Sequence, residues 1–271
     1  TLNTYLLNQR KTVELYLMMA SLHALNSDVT SAANAYKAAI KQGSEKGKTY
    51  LLLANLYQQF SKGPEAIAAY KKSMAWDENN EKVIIGLAGL YNGKNNTDSA
   101  IKLIKAFEAN HQLSAQLIGV LANSYLRIKE YDLAEKYYNK WIKLASNDSS
   151  VVGLNLVYRA TNRTNEAVDV LTKSLNERPK SLLLNTALAE YYIEQSQWLN
   201  ADGIYQTLVK LYPNHPAILN NASYVALSLS DYKRAEVLVK KSLAIVDNQP
   251  DSLDTLGWIY YHTKDFNEAL P

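Results

Sequence analysis

The sequence predicts an all-α protein, a solenoid of tandem helix-turn-helix repeats, and three observations carry that prediction. Alanines recur at Ala32, Ala66, Ala100, Ala134, Ala167, Ala201, Ala235 and Ala269, in steps of 34 residues apart from one of 33. A bulky residue stands four positions after all but the last: Tyr36, Tyr70, Ile104, Tyr138, Leu171, Tyr205 and Val239. Nine positions before each alanine stands His23, Tyr57, Tyr91, Tyr125, Tyr158, Tyr192, Ala226 or Tyr260. Three residues earlier still comes Ala20, Ala54, Ala88, Ala122, Asn155, Ala189, Ser223 or Gly257. Within a unit the spacing is helical, as in Tyr50, Leu53, Ala54 and Tyr57 at i, i+3, i+4 and i+7. Small residues let two helices approach closely, and the tyrosine opposite fills the space they leave.

The elements follow in order. Residues 1–11 read as the end of a preceding repeat, with Leu2 and Tyr5 where its second helix would place bulky side chains. The solenoid then occupies residues 12–271, about seven and a half hairpins. Repeat 13–46 is set by Ala20 and Ala32, repeat 47–80 by Ala54 and Ala66, and repeat 81–114 by Ala88 and Ala100. Repeats 115–147 and 148–181 follow; the residue lost between Ala134 and Tyr158 is assigned to the loop near Ser146 to Ser150. Repeats 182–215 and 216–249 keep the period, and 250–271 stops three residues into the recognisable part of a second helix. Short breakers such as Ser61-Lys62-Gly63-Pro64, Asn92-Gly93 and Asn162-Arg163-Thr164 are turns between paired helices, and Pro64, Pro216 and Pro250 fall where a first helical turn tolerates proline. Three residues depart from the pattern. Phe107, Trp141 and Leu208 occupy the usually small second-helix site, where looser or rotated packing is expected.

Composition excludes several function classes. The 29 basic and 26 acidic residues are too balanced for a chain that grips a nucleic-acid backbone. No apolar run is long enough for a membrane-spanning helix. The absence of cysteine removes disulfides and thiolate metal sites and leaves the compartment open. His23, His111, His215 and His262 are dispersed, with no second ligand at helical spacing, and Gly43, Gly47 and Gly63 lack the Lys-Ser/Thr ending of a phosphate loop. Catalytic, metal-binding and cofactor-binding residues are therefore expected to be none. His23 holds a packing-tyrosine position and reads as a core residue, and the tyrosine ladder from Tyr57 to Tyr192 follows the packing stripe. Trp76 and Trp198, at helix ends, read as packing covers.

The chain resembles the tetratricopeptide repeat family, whose signature is Leu-Gly-x-x-Tyr in the first helix, then Ala and an aromatic in the second, then Pro. Leu256, Gly257, Tyr260, Phe266 and Ala269 follow that pattern, and Pro179 and Pro213 supply the terminal proline. The resemblance implies a right-handed superhelix whose first helices line a concave side. Helical phase then selects a partner-binding face. Its N-terminal part is amide-rich and basic: Lys48, Asn55, Gln58, Lys82, Asn92, Asn123, Arg127 and Arg159. Its C-terminal part is acidic and aromatic: Glu190, Glu194, Tyr224, Asp254, Trp258 and Tyr261, with Asn220, Asp251 and His262 in the same phase. A carboxylate clamp of the chaperone type is not reproduced, since Leu17 and Leu51 stand where lysine would be required.

The expected function is a non-catalytic scaffold that binds a peptide segment or partner protein within a bacterial multiprotein assembly. The stretch Pro250 to Pro271 resembles units of bacterial envelope tetratricopeptide proteins, including lipoproteins of exopolysaccharide and PEP-CTERM-type protein-sorting systems. That second resemblance tilts localisation toward the periplasm and implies an alternative, a scaffold for exopolysaccharide export that touches the polymer or its machinery. Protein or peptide is the expected partner class, with polysaccharide second and an end-to-end dimer as a further expectation.

Overall fold

The computed structural model describes residues 2–265, with side chains described from residue 12 onward. The described residues form fifteen helices and no strand: α1 (Leu2–Leu25), α2 (Val29–Lys41), α3 (Lys46–Gln59), α4 (Gly63–Met74), α5 (Glu81–Gly93), α6 (Thr97–Glu108), α7 (Ala115–Arg127), α8 (Tyr131–Ala145), α9 (Asp148–Ala160), α10 (Thr164–Glu177), α11 (Leu182–Glu194), α12 (Trp198–Leu211), α13 (Pro216–Ser228), α14 (Tyr232–Ile245) and α15 (Pro250–Thr263). They divide into two compact units, Thr1–Leu144 and Ala145–Pro271. In each unit odd and even helices pair as hairpins, and each new first helix packs on the hairpin before it, as α3 does on α2 and α11 on α10.

The two alanine rows explain the pairing. Ala54, Ala88, Ala122 and Ala189 on first helices are wholly buried, as are Ala66, Ala100, Ala134, Ala167, Ala201 and Ala235 on second helices. How close the rows lie is shown where a polar residue replaces alanine. The Nδ2 of Asn155 donates to the carbonyl of Ala167 at 2.8 Å, and the Oγ of Ser223 donates to the carbonyl of Ala235 at 2.7 Å. The amide of Asn155 thus fits a small-residue position because one of its polar atoms is satisfied there, while its Oδ1 is left without a partner. Ser73 and Ser242 do similar work, donating to the carbonyls of Gly47 and Pro216 at the start of the paired first helix.

Each first helix ends the same way. Ser27, Ser61, Asn95 and Lys129 in the first unit, and Asn162, Ser196, Ser230 and Lys264 in the second, have φ between 56° and 66°. These positions repeat the 34-residue period with its single step of 33. The next residue's N–H turns back to the carbonyl five positions upstream, from Lys62 to Tyr57, Glu130 to Tyr125 and Gln197 to Tyr192 at 2.8–3.0 Å. This is the Schellman closure, a left-handed residue reversing the chain into the second helix. None of the eight is glycine, so each carries the steric penalty of an L residue in that region.

Several sequence expectations are corrected by these contacts. The tyrosine ladder keeps its packing role, with Tyr57, Tyr91 and Tyr192 against the core clusters, but those three and Tyr158 are only half-buried, Tyr125 alone of the ladder is buried, and the fully enclosed tyrosines are those of second helices, Tyr70, Tyr138 and Tyr205. His23 is not a core residue: it is half-exposed beside the Asp28 carboxylate at 3.5 Å, and Asp28 caps α2 by accepting from the Ser31 N–H. The Ser31 bonds hold the Asp28 carboxyl below its usual value. Packing around the three bulky exceptions is tight. Phe107 and Leu208 are buried, and the Trp141 indole lies so close to Gly119 that a Cβ there would come within 2.7 Å of the ring. In the same way Gly86 makes room for the Tyr70 ring.

α1 runs unbroken through residues 11 and 12, in a stretch without glycine or proline. The side chains of Leu2 and Tyr5 lie outside the described residues, as do Phe266 and Ala269. On α1, Leu15, Met19 and Leu22 are exposed, whereas their equivalents one period on, Thr49, Leu53 and Leu56, are buried.

Two substitutions test this account. Lys129→Gly removes the left-handed penalty and should stabilise the protein by about 0.5–1 kcal/mol, read as a higher urea midpoint. Gly119→Ala improves helix propensity yet should destabilise by about 1–3 kcal/mol because the Trp141 indole must move. Adding Trp141→Leu to Gly119→Ala should recover most of that loss in the same urea titration.

Candidate functional site

In the first unit the candidate residues lie on α3, α5 and α7, and all are exposed except the half-buried Asn92. Their amides are less available than helical phase alone implied. The buried Tyr70 hydroxyl reaches through from α4 to lie 2.7 Å from Asn55 Oδ1 and 2.6 Å from Gln58 Oε1, its single proton shared between the two amides. Tyr138 likewise donates to Asn123 Oδ1. Burial holds the Tyr70 and Tyr138 phenols above their usual value, so they stay neutral donors.

Two more candidates hold neighbouring repeats together. Asn92 donates to Ser124 Oγ at 2.8 Å, joining α5 to α7, and Arg127 donates to Asn95 Oδ1 at 3.3 Å. Lys48 pairs with Glu45 at 2.8 Å, a bond that raises its pKa, and Lys82 is exposed. A shallow recess of about 280 Å³ lies beside Gln58, lined also by Ser61, Gly63, Gly89, Leu90, Gly93 and Lys94. It falls under the ~300–1,000 Å³ of small-molecule sites, so this face is an open surface rather than a pocket.

In the second unit Arg159 of α9 is neutralised by an ion pair with Glu194 of α11, so the expected basic residue and one expected acidic residue cancel. The packing of α9 against α11 brings the two together. Glu190, one turn before Glu194, has its pKa raised by burial, an effect opposed by Arg159 and reinforced by Glu194. Tyr224 on α13 is 44% exposed and meets the Trp198 ring edge to face at 5.9 Å. On α15, Trp258 and Tyr261 are 52% and 57% exposed and also pack edge to face, at 5.8 Å. Asp254 is exposed one turn before Trp258.

The structure moves one residue relative to the sequence expectation. Asn220 is buried, so it is not part of the face. Trp198, expected to be a packing cover, packs on Tyr224 from the start of α12. His262 stacks on Tyr232 at 5.7 Å and stands at the edge of the Trp258 and Tyr261 pair. Among the described residues no group of three or more His, Asp and Glu is placed to hold a metal ion, and no helix is long and apolar enough to cross a membrane.

Residues 7–153 match the tetratricopeptide repeat, and so do residues 186–251 through a second description of the same repeat. The chain belongs to the tetratricopeptide repeat family. Among solved structures, a tetratricopeptide repeat protein from Parabacteroides merdae ATCC 43184 superposes with a TM-score of 0.72 at 15% identity, over 92% of this chain and 99% of that one. A chain of the APC/C hetero-tetramer Cut9-Hcn1 superposes with a TM-score of 0.60 at 17% identity, over 90% of this chain. This tetratricopeptide chain spans about half of that relative, 48% of its length. At such identities the likeness concerns the fold. No curated protein matches the chain. Tetratricopeptide membership supports a protein-interaction scaffold in general terms.

The bond from Tyr70 to Asn55 and Gln58 gives a direct test of how the tetratricopeptide face is held. Tyr70→Phe should lower stability by about 0.5–1.5 kcal/mol by thermal or urea unfolding, with helix content unchanged by circular dichroism.

Proposed function

We propose that this tetratricopeptide protein is a non-catalytic scaffold that binds a peptide segment or partner protein along the first-helix faces of its two units, as part of a bacterial multiprotein assembly. The observation that supports it is the exposure of Tyr224, Trp258 and Tyr261 on α13 and α15. Large aromatic rings grouped at the surface mark interaction sites, and such residues dominate binding energy where they are covered. The hairpins around them are fixed by buried alanines and closed turns, so binding orders the partner while the scaffold loses little freedom.

The same rings support a second reading, in which the scaffold meets exopolysaccharide or its export machinery, since a ring face also suits a sugar. Affinity capture in high salt followed by mass spectrometry, set beside a glycan array, separates the two. The first reading expects protein partners that are retained by the wild type and weakened tenfold or more by Trp258→Ala with Tyr261→Ala, with the glycan array blank. Glycan binding lost in the same variant, with no retained protein, would replace it by the second.

A further inference from the structure

The first helices of the second unit differ from their surroundings in charge. α11 (LLLNTALAEYYIE), α13 (PAILNNASYVALS) and α15 (PDSLDTLGWIYYHT) contain no lysine or arginine. They carry Glu190, Glu194, Asp251 and Asp254, of which, among the described residues, only Glu194 is in an ion pair, with Arg159. The repeat places Glu190, Tyr224 and Trp258 at one equivalent position in three successive hairpins, and α13 packs against α15. On α15 itself Asp251, Asp254, Trp258 and Tyr261 follow one another at i, i+3, i+7 and i+10, along one helix face.

The treatment of three other aromatic rings is the second observation. Lys46 lies 4.5 Å from the Trp76 ring centre, Arg163 4.4 Å from that of Tyr158 and Lys240 5.6 Å from that of Tyr260. Those rings are covered by cations of the chain. Trp258 and Tyr224 have none among the described residues, although each is about half exposed. Among the described residues they are braced by other rings, Tyr261 and Trp198 edge to face and, for Trp258, the tilted His262 ring. Indole is the strongest of the natural cation-binding rings, and a carboxylate one turn away adds to the attraction for an ammonium or guanidinium group.

We infer that the outward face of α11, α13 and α15 receives a basic, unstructured protein segment, whose lysine or arginine side chains lie over Trp258 and Tyr224 and pair with Asp254, Asp251 and Glu190. This rests on the peptide-binding reading above and specifies the chemistry of the peptide. A neutral apolar segment would leave three carboxylates unpaired against it, and an acidic segment or anionic polymer would meet like charge. Arginine suits the face best, since its planar head stacks on a ring and bridges a carboxylate at once.

Fluorescence anisotropy with the full chain tests the inference, using labelled synthetic peptides of one length: a Gly-Ser-Arg repeat, the same repeat with glutamine for arginine, and one with glutamate. The arginine peptide should bind saturably, and the glutamine and glutamate peptides at least tenfold more weakly. Trp258→Ala and the pair Asp251→Asn with Asp254→Asn should each weaken the arginine peptide about tenfold, and the Asp pair should also flatten the dependence on salt. All three side chains are exposed, and far-ultraviolet circular dichroism checks that each variant keeps its helix content. Equal binding of the arginine and glutamine peptides, both lost in Trp258→Ala, would overturn the cationic specification and leave peptide binding standing. Arginine-peptide binding that Trp258→Ala leaves unchanged would overturn the assignment to this face. Failure of every peptide, with a glycan bound instead, would overturn the inference together with the reading beneath it.

Discussion

Two rows of residues with almost no side chain meet inside each hairpin, and the closeness of that meeting sets what the rest of the chain can be. Where alanine is replaced, Asn155 and Ser223 are near enough to the opposite helix to hydrogen-bond a main-chain carbonyl within 2.8 Å. At that separation a residue of ordinary size fits only if it finds a polar partner or a gap. The gaps are filled from the second helix by Tyr70, Tyr138 and Tyr205, whose rings are enclosed and whose hydroxyls emerge on the far side beside surface amides or, for Tyr205, beside Asn221. Core packing and the outer face are thus linked through single side chains: the phenol that fills the interior also orients Asn55 and Asn123.

Polar bonds one period apart extend this order between hairpins. Ser114 caps α7 and donates to Glu81 at the start of α5, and Ser181 caps α11 and donates to Asp148 at the start of α9. Arg234 of α14 pairs with Asp202 of α12. Each joins successive hairpins within one unit, which is what a stack of nearest-neighbour modules requires, whereas the Arg178–Asp148 pair closes the single hairpin of α9 and α10.

How much of this is legible in the sequence depends on whether a feature leaves a periodic trace in residue type. The alanine rows and their bulky followers do, so the helical-repeat fold and the position of the lost residue are readable. The left-handed turn residues are equally periodic in conformation, but they vary among serine, asparagine and lysine, as at Ser27, Asn95 and Lys129, and none is the glycine that would advertise the turn. The candidate face was legible in phase but not in occupancy. Helical geometry puts Asn55, Arg127 and Arg159 outward; it says nothing of the Tyr70 hydroxyl, the Asn95 amide or the Glu194 carboxylate that already engage them. Trp198 packs as its helix-end place suggests, but its partner Tyr224, 26 positions away in sequence, is not named by phase, and the burial of Asn220 shows that one residue in the right phase can still turn inward.

The glycine at Gly86 of α5, beneath the Tyr70 ring of the preceding hairpin, has a bearing on assembly order. Near-identical modules carry the hazard that one docks in its sibling's place, during synthesis or between two molecules. The Tyr70 ring is seated over a bare backbone that leaves no room for a Cβ. Leu52 and Val120 occupy the site equivalent to Gly86 in the adjacent repeats, whereas Gly153 repeats the glycine further along. The bare backbone at Gly86 thus distinguishes the α4–α5 junction from the ones beside it.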